Sequence, residues 1–75
     1  MIIKIIAGAW AKRYNIAGET AVEIKDGASI ADILDDLPIP PNEIGMASLN
    51  GKAVVRETVL RDGDKLEIFP VIIDG

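Results

Sequence analysis

The sequence predicts an α+β domain in which one short helix covers one face of a mixed four- to five-stranded sheet. Three observations predict it. Ile30, Ile33, Leu34 and Leu37 fall at i, i+3, i+4 and i+7, a single apolar helical stripe. The segments on either side of that stripe have strand character, with β-branched runs or apolar–polar alternation. The chain has 75 residues, 49% of them hydrophobic and spread along its length, which provides for one core and no second. Residues 1–75 therefore read as one domain, with 71–75 as a C-terminal tail.

The elements come in a simple order. Ile2 to Ile6 is apolar and β-branched around Lys4, a first strand. Gly8 to Gly18 lacks a clean period and reads as a connecting loop carrying Trp10 and Tyr14. Thr20 to Lys25 alternates, with Val22 and Ile24 inward and Glu23 and Lys25 outward, and Asp26-Gly27 supplies a turn. Ser29 is a natural N-cap, and Asp32 three positions on can reach back to it. Asp32, Asp35 and Asp36 lie opposite the apolar stripe. Pro38, Pro40 and Pro41 forbid continuation, so the helix has barely two turns and must be held by a sheet. Gly45 to Leu49 reads as a third strand, and Asn50-Gly51 as a hairpin turn into Lys52–Val55. After Thr58-Val59-Leu60, the turn Arg61-Asp62-Gly63-Asp64 leads into Lys65–Phe69. There Leu66 and Ile68 face inward, Glu67 and Phe69 outward, and Pro70 ends the regular ladder. A helix between two hairpin-like pairs favours the β-grasp arrangement, with the first and last strands paired at the centre of the sheet.

Composition removes several functions. The net charge of −4 argues against affinity built on nucleic-acid phosphates, and Lys12-Arg13 beside Tyr14 reads as a solvated loop before it reads as an RNA patch. With no cysteine and no histidine, the commonest ligands of zinc and iron–sulfur clusters are missing, and no metal or other cofactor is expected. Asp32, Asp35, Asp36, Asp62 and Asp64 lack the ligand alternation of a calcium loop. Ser29 and Ser48 have no recognisable base partner and no phosphate-cradling glycine loop occurs, so the chain is not expected to be an enzyme in its own right. The first residues do not form a signal peptide and no stretch has the length of a membrane span; the expected location is the cytoplasm, with no membrane or nucleic-acid partner.

Leu49-Asn50-Gly51-Lys52, then Val54 to Leu60, then Arg61-Asp62-Gly63-Asp64 running to Phe69-Pro70, resemble the C-terminal half of the ThiS/MoaD family of ubiquitin-like β-grasp sulfur carriers. Element order and length extend the resemblance to the whole chain; the motifs are specific over its last third. The resemblance implies a carrier whose terminal glycine is adenylated by a ubiquitin-activating-type adenylyltransferase of the ThiF/MoeB kind. The adenylate becomes a thiocarboxylate that gives sulfur to an acceptor enzyme, the molybdopterin synthase large subunit or thiazole synthase. Carried over by position, the reactive group is the carboxyl of Gly75, presented on Ile72, Ile73 and Asp74. A glycine end suits a narrow active site, because no Cβ limits close approach.

Asp74 departs from the family's Gly-Gly end. It leaves open two further readings, a β-grasp interaction or regulatory subunit whose tail is not activated, and a ubiquitin-like modifier attached to target lysines. Phe69 points away from the helix-covered face in this phase, and Ile2, Ile6 and Met46 join it there. With Pro70 and Val71 at the root of the tail, Met46 and Phe69 form the expected partner surface.

Overall fold

The computed structural model describes residues 1–72; Ile73, Asp74 and Gly75, and with them the expected reactive end, lie outside the described residues. Five strands form one sheet: β1 (Ile2–Ala7), β2 (Gly18–Glu23), β3 (Ile44–Leu49), β4 (Lys52–Ala53) and β5 (Lys65–Pro70). Their order is β2-β1-β5-β3-β4. The central pair β1 and β5 is parallel, with Ile5 beside Leu66 and Ala7 beside Ile68. The outer pairings, β1 with β2 and β3 with β5, are antiparallel. One helix, α1 (Ile30–Asp36), lies on one face. This is the ubiquitin-like β-grasp architecture, with first and last strands central.

Alternation decides which face the helix covers. Ile3, Ile5 and Ala7 of β1, Leu66 and Ile68 of β5 and Ala47 of β3 are buried together with Ile30, Ile33 and Leu34 of α1. Leu37 is the C-cap residue and packs against this cluster half-buried. Such a short helix has little stability of its own, so burial of this stripe holds it.

The start of α1 is fully accounted for. Ile30 N–H donates to the Thr58 carbonyl and Ala31 N–H to the Arg56 carbonyl, both at 2.9 Å. Asp32 N–H donates to Ser29 Oγ at 3.3 Å while Ser29 N–H donates to the Asp32 carboxylate at 3.0 Å, a reciprocal capping box. The segment 56–58 thus serves the helix that the sequence places before it.

Turn chemistry explains Asp62 and Asp64. Asp62 accepts from Ile2 N–H at 2.8 Å, and Asp64 accepts from both Arg61 N–H and the Asn50 side-chain amide. Asn50 in turn accepts from Lys65 N–H at 2.9 Å, so the two hairpin-like turns are tied together. Asn50 and Gly51 both have positive φ, 52° and 88°, the backbone that an Asn-Gly hairpin turn requires.

Four expectations are corrected. The segment after β1 is no open loop: Ala9–Tyr14 winds into a 3₁₀ helix whose Ala11 is completely buried. Strand β2 runs over Gly18–Glu23 rather than Thr20–Lys25, because it pairs along all of β1. Strand β4 keeps only Lys52–Ala53 of the expected Lys52–Val55, since the chain turns away to cap α1. Strand β5 runs one residue past the expected Lys65–Phe69, to Pro70 opposite Ile44; Pro70 ends the ladder as expected, and the register shifts between Ile44 and Met46 where a proline has no N–H to donate.

The carboxyl of Asp32 is held below the usual carboxylate range by the Ser29 N–H, and that of Glu19 by the Lys4 ammonium 2.8 Å away. A carboxyl whose folded pKa is depressed stabilises the fold fully above its unfolded pKa of about 4 and loses that contribution as pH falls through the folded value. Thermal melts between pH 5 and pH 2 should therefore show the midpoint falling. The double variant Asp32→Asn, Glu19→Gln should show a shallower fall from a lower starting midpoint; an unchanged acid limb would show that other groups carry it.

Candidate functional site

Strand β5 sets the site. With Leu66 and Ile68 buried on the helix side, Lys65, Glu67 and Phe69 emerge on the other face. Met46 stands directly opposite Phe69 in the register, and Ile6 lies beside Glu67, one rung further back. Phe69 and Ile6 are half-buried, whereas Met46 is 50% exposed. Ile2 shares this face but not the group: four residues before Ile6, it lies about 13 Å along the strand. Beyond Pro70, Val71 is 43% exposed and Ile72 84% exposed. An apolar path thus runs from Met46 and Phe69 on the open sheet face, past half-buried Pro70, to the described end of the chain.

The root of this path is held from the side by residues far away in sequence. Val71 N–H donates to the Glu43 carbonyl at 3.0 Å. The Glu43 carboxylate accepts from the Tyr14 hydroxyl at 2.6 Å and pairs with the Arg13 guanidinium, which also stacks over the Tyr14 ring 4.8 Å from its centroid. Sharing its proton with Glu43 pushes the Tyr14 hydroxyl above the usual phenol range. Gly45 supplies the closest approach: a Cβ there would lie 2.6 Å from the Pro70 carbonyl oxygen and 3.0 Å from the Val71 Cα. Trp10, Arg13, Asn42, Glu43, Pro70 and Val71 line a recess of about 340 Å³ beside the tail root.

The sequence reading brought Met46, Phe69, Pro70 and Val71 to one place, and the structure sets them side by side. It missed Glu43, Gly45 and the use made of Arg13 and Tyr14: Arg13 is exposed as expected, but it sits in a 3₁₀ helix and pairs with Glu43. No local signal marks them, since Tyr14 and Glu43 meet across 29 residues. A second groove, of about 390 Å³, lies between α1, β3 and Val54–Glu57; its lining holds no hydroxyl, thiol or imidazole. Among the described residues no cluster of three or more Asp or Glu side chains is arranged to hold a metal ion, and no helix is long and apolar enough to cross a membrane.

A helix on a mixed sheet whose first and last strands are central defines the ubiquitin-like β-grasp class of fold. The ThiS family model matches residues 10–73, and the chain belongs to the ThiS family. Its members are small carrier proteins that work with activating enzymes and sulfur-acceptor enzymes. Solved structures share the fold. SAMP1 from Haloferax volcanii is 19% identical, with a TM-score of 0.75 and the whole of both chains covered. A Pyrococcus furiosus protein described as molybdopterin converting factor subunit 1 is 18% identical, with 96% of this chain and 99% of that chain covered and a TM-score of 0.75. The H. volcanii small archaeal modifier protein 1 is also 18% identical, covering 95% of this chain and 98% of that chain at a TM-score of 0.74.

Proposed function

We propose that this chain is a sulfur-carrier protein acting through the carboxyl of Gly75 in molybdopterin, tungstopterin or thiamine biosynthesis. In this reading residues 1–75 are one domain with 71–75 as its tail, and the protein works in the cytoplasm. A ThiF/MoeB-like adenylyltransferase binds the chain, and the Gly75 carboxylate displaces pyrophosphate from ATP to give an acyl-adenylate. A sulfur nucleophile then displaces AMP, leaving a thiocarboxylate. The acceptor, the molybdopterin synthase large subunit or thiazole synthase, takes the sulfur, and water supplies the oxygen that returns the carboxylate.

Family membership over residues 10–73 carries the reading. The apolar path supports it physically. Met46, Phe69, Pro70 and Val71 offer a partner a docking surface continuous with Ile72, the last described residue. Apolar residues exposed on a tail do not stabilise the isolated fold; they gain burial only inside another protein.

The test is intact mass after incubation with the activating enzyme, ATP and a sulfur donor. Replacement of one oxygen by sulfur is expected, and its loss on deletion of Asp74-Gly75. An unmodified mass, with partner binding that survives the deletion, would instead favour an interaction subunit without tail chemistry. Attachment to target lysines is a second reading, suggested by the likeness to small archaeal modifier protein 1. Isopeptide-linked products in whole-cell extracts would separate it from sulfur transfer.

A further inference from the structure

We infer that Gly45 and Glu43 form a cradle that sets the direction in which the chain leaves β5, which makes them positioning residues for the reaction at the tail. The inference rests on the reading that the tail is the reactive end.

Three observations converge on one point. The first is the Gly45 clearance: the space a Cβ would need is taken by the Pro70 carbonyl oxygen at 2.6 Å, its carbon at 3.0 Å and the Val71 Cα at 3.0 Å. These are backbone atoms, so they cannot rotate aside as a side chain would. The second is the register shift between Ile44 and Met46, which falls opposite the last two residues of β5. Bulges bend a strand and redirect the chain around them. The third is the bond from Val71 N–H to the Glu43 carbonyl, made just past the proline that has no N–H for the ladder. Glu43 is itself tied down, through Tyr14 and Arg13, to the 3₁₀ helix anchored by buried Ala11.

The lever is long. Four residues held fully extended in a partner's passage would reach at most about 14 Å, so a tilt of about 10° at Val71 would displace their far end by about 2 Å. A misplacement of about 1 Å can cost about 100-fold in rate. The cradle therefore acts on chemistry that it never touches.

Two variants test it, Gly45→Ala and Tyr14→Phe, the second without any clash at Pro70. Amide hydrogen exchange at Val71 should accelerate at least tenfold in Gly45→Ala and severalfold in Tyr14→Phe, with Leu66 and Ile68 amides unchanged. In ATP–pyrophosphate exchange with the activating enzyme, kcat should fall about tenfold or more in Gly45→Ala while KM for the carrier holds, because Met46 and Phe69 still dock. Unchanged Val71 exchange in both variants would overturn the cradle, and faster exchange with unchanged kcat would overturn its positioning role. Wild-type protein inert in the exchange assay would sink the proposed function instead, and Val71 protection alone would then decide whether the cradle exists.

Discussion

Leu66→Ala is expected to destabilise the fold by about 2–5 kcal/mol and to lower the thermal midpoint by about 8–40 °C. Leu66 is fully buried in central strand β5, beside Ile5 of β1 and opposite Leu49 of β3. It belongs to the cluster that receives Ile30, Ile33 and Leu34 of α1. Truncation removes the transfer energy of the lost carbons and leaves a cavity. The surroundings cannot collapse into it, because β5 is hydrogen-bonded on both sides. A domain of this length holds only about 4–11 kcal/mol in total, so one such loss removes a large part of its stability. Urea unfolding followed by circular dichroism gives the comparison, with Ile72→Ala as control. That residue is 84% exposed, and its truncation should change stability by no more than about 0.5 kcal/mol. Comparable losses in the two variants would mean that the core does not lie where the register of β5 puts it.

Leu66 was legible because alternation needs no tertiary information. Leu66 and Ile68 differ in phase from Glu67 and Phe69, and the sheet obeys that phase. The helix was legible for the same kind of reason. Ser29, Asp32 and the stripe from Ile30 lie within one short window, as do Asn50 and Gly51 of the hairpin. The features that stayed hidden depend on distant parts of the chain. Ala9–Tyr14 has no clean period and winds up because Ala11 meets the core. Ile39, between two prolines, is 2% exposed although its surroundings in sequence read as a crossover. Gly45 looked like an ordinary strand opening, yet its role comes from the backbone of Pro70 and Val71, some 25 residues away. At the candidate site, the residues of β5 and Met46 were set by phase, whereas the bracing by Tyr14, Arg13 and Glu43 was not.

Asp74→Gly is expected to raise the rate of adenylation by an activating enzyme that serves Gly-Gly ends by about 100-fold or more. Asp74 and Gly75 are covalent neighbours, so in the proposed adenylation their two carboxylates would enter the nucleotide site together. Both would then face the triphosphate of ATP. At about 4–5 Å and an effective dielectric near 20, each added like-charge contact costs on the order of 3–4 kcal/mol, and each 1.36 kcal/mol is tenfold in rate. The residue also brings a Cβ into a passage shaped for two glycines. Asp74→Asn separates the two causes, since it keeps the bulk and removes the charge. If repulsion dominates, Asp74→Asn recovers most of the gain, and raising the ionic strength narrows the gap between native and variant tails. If the passage width dominates, only Asp74→Gly recovers it, and salt has little effect. A native tail that reacts as fast as both variants at low salt would mean that the enzyme's own cation neutralises Asp74. The aspartate would then be a feature for which that enzyme selects, because a pocket built to pair with a buried carboxylate is left with an uncompensated charge when a Gly-Gly end enters.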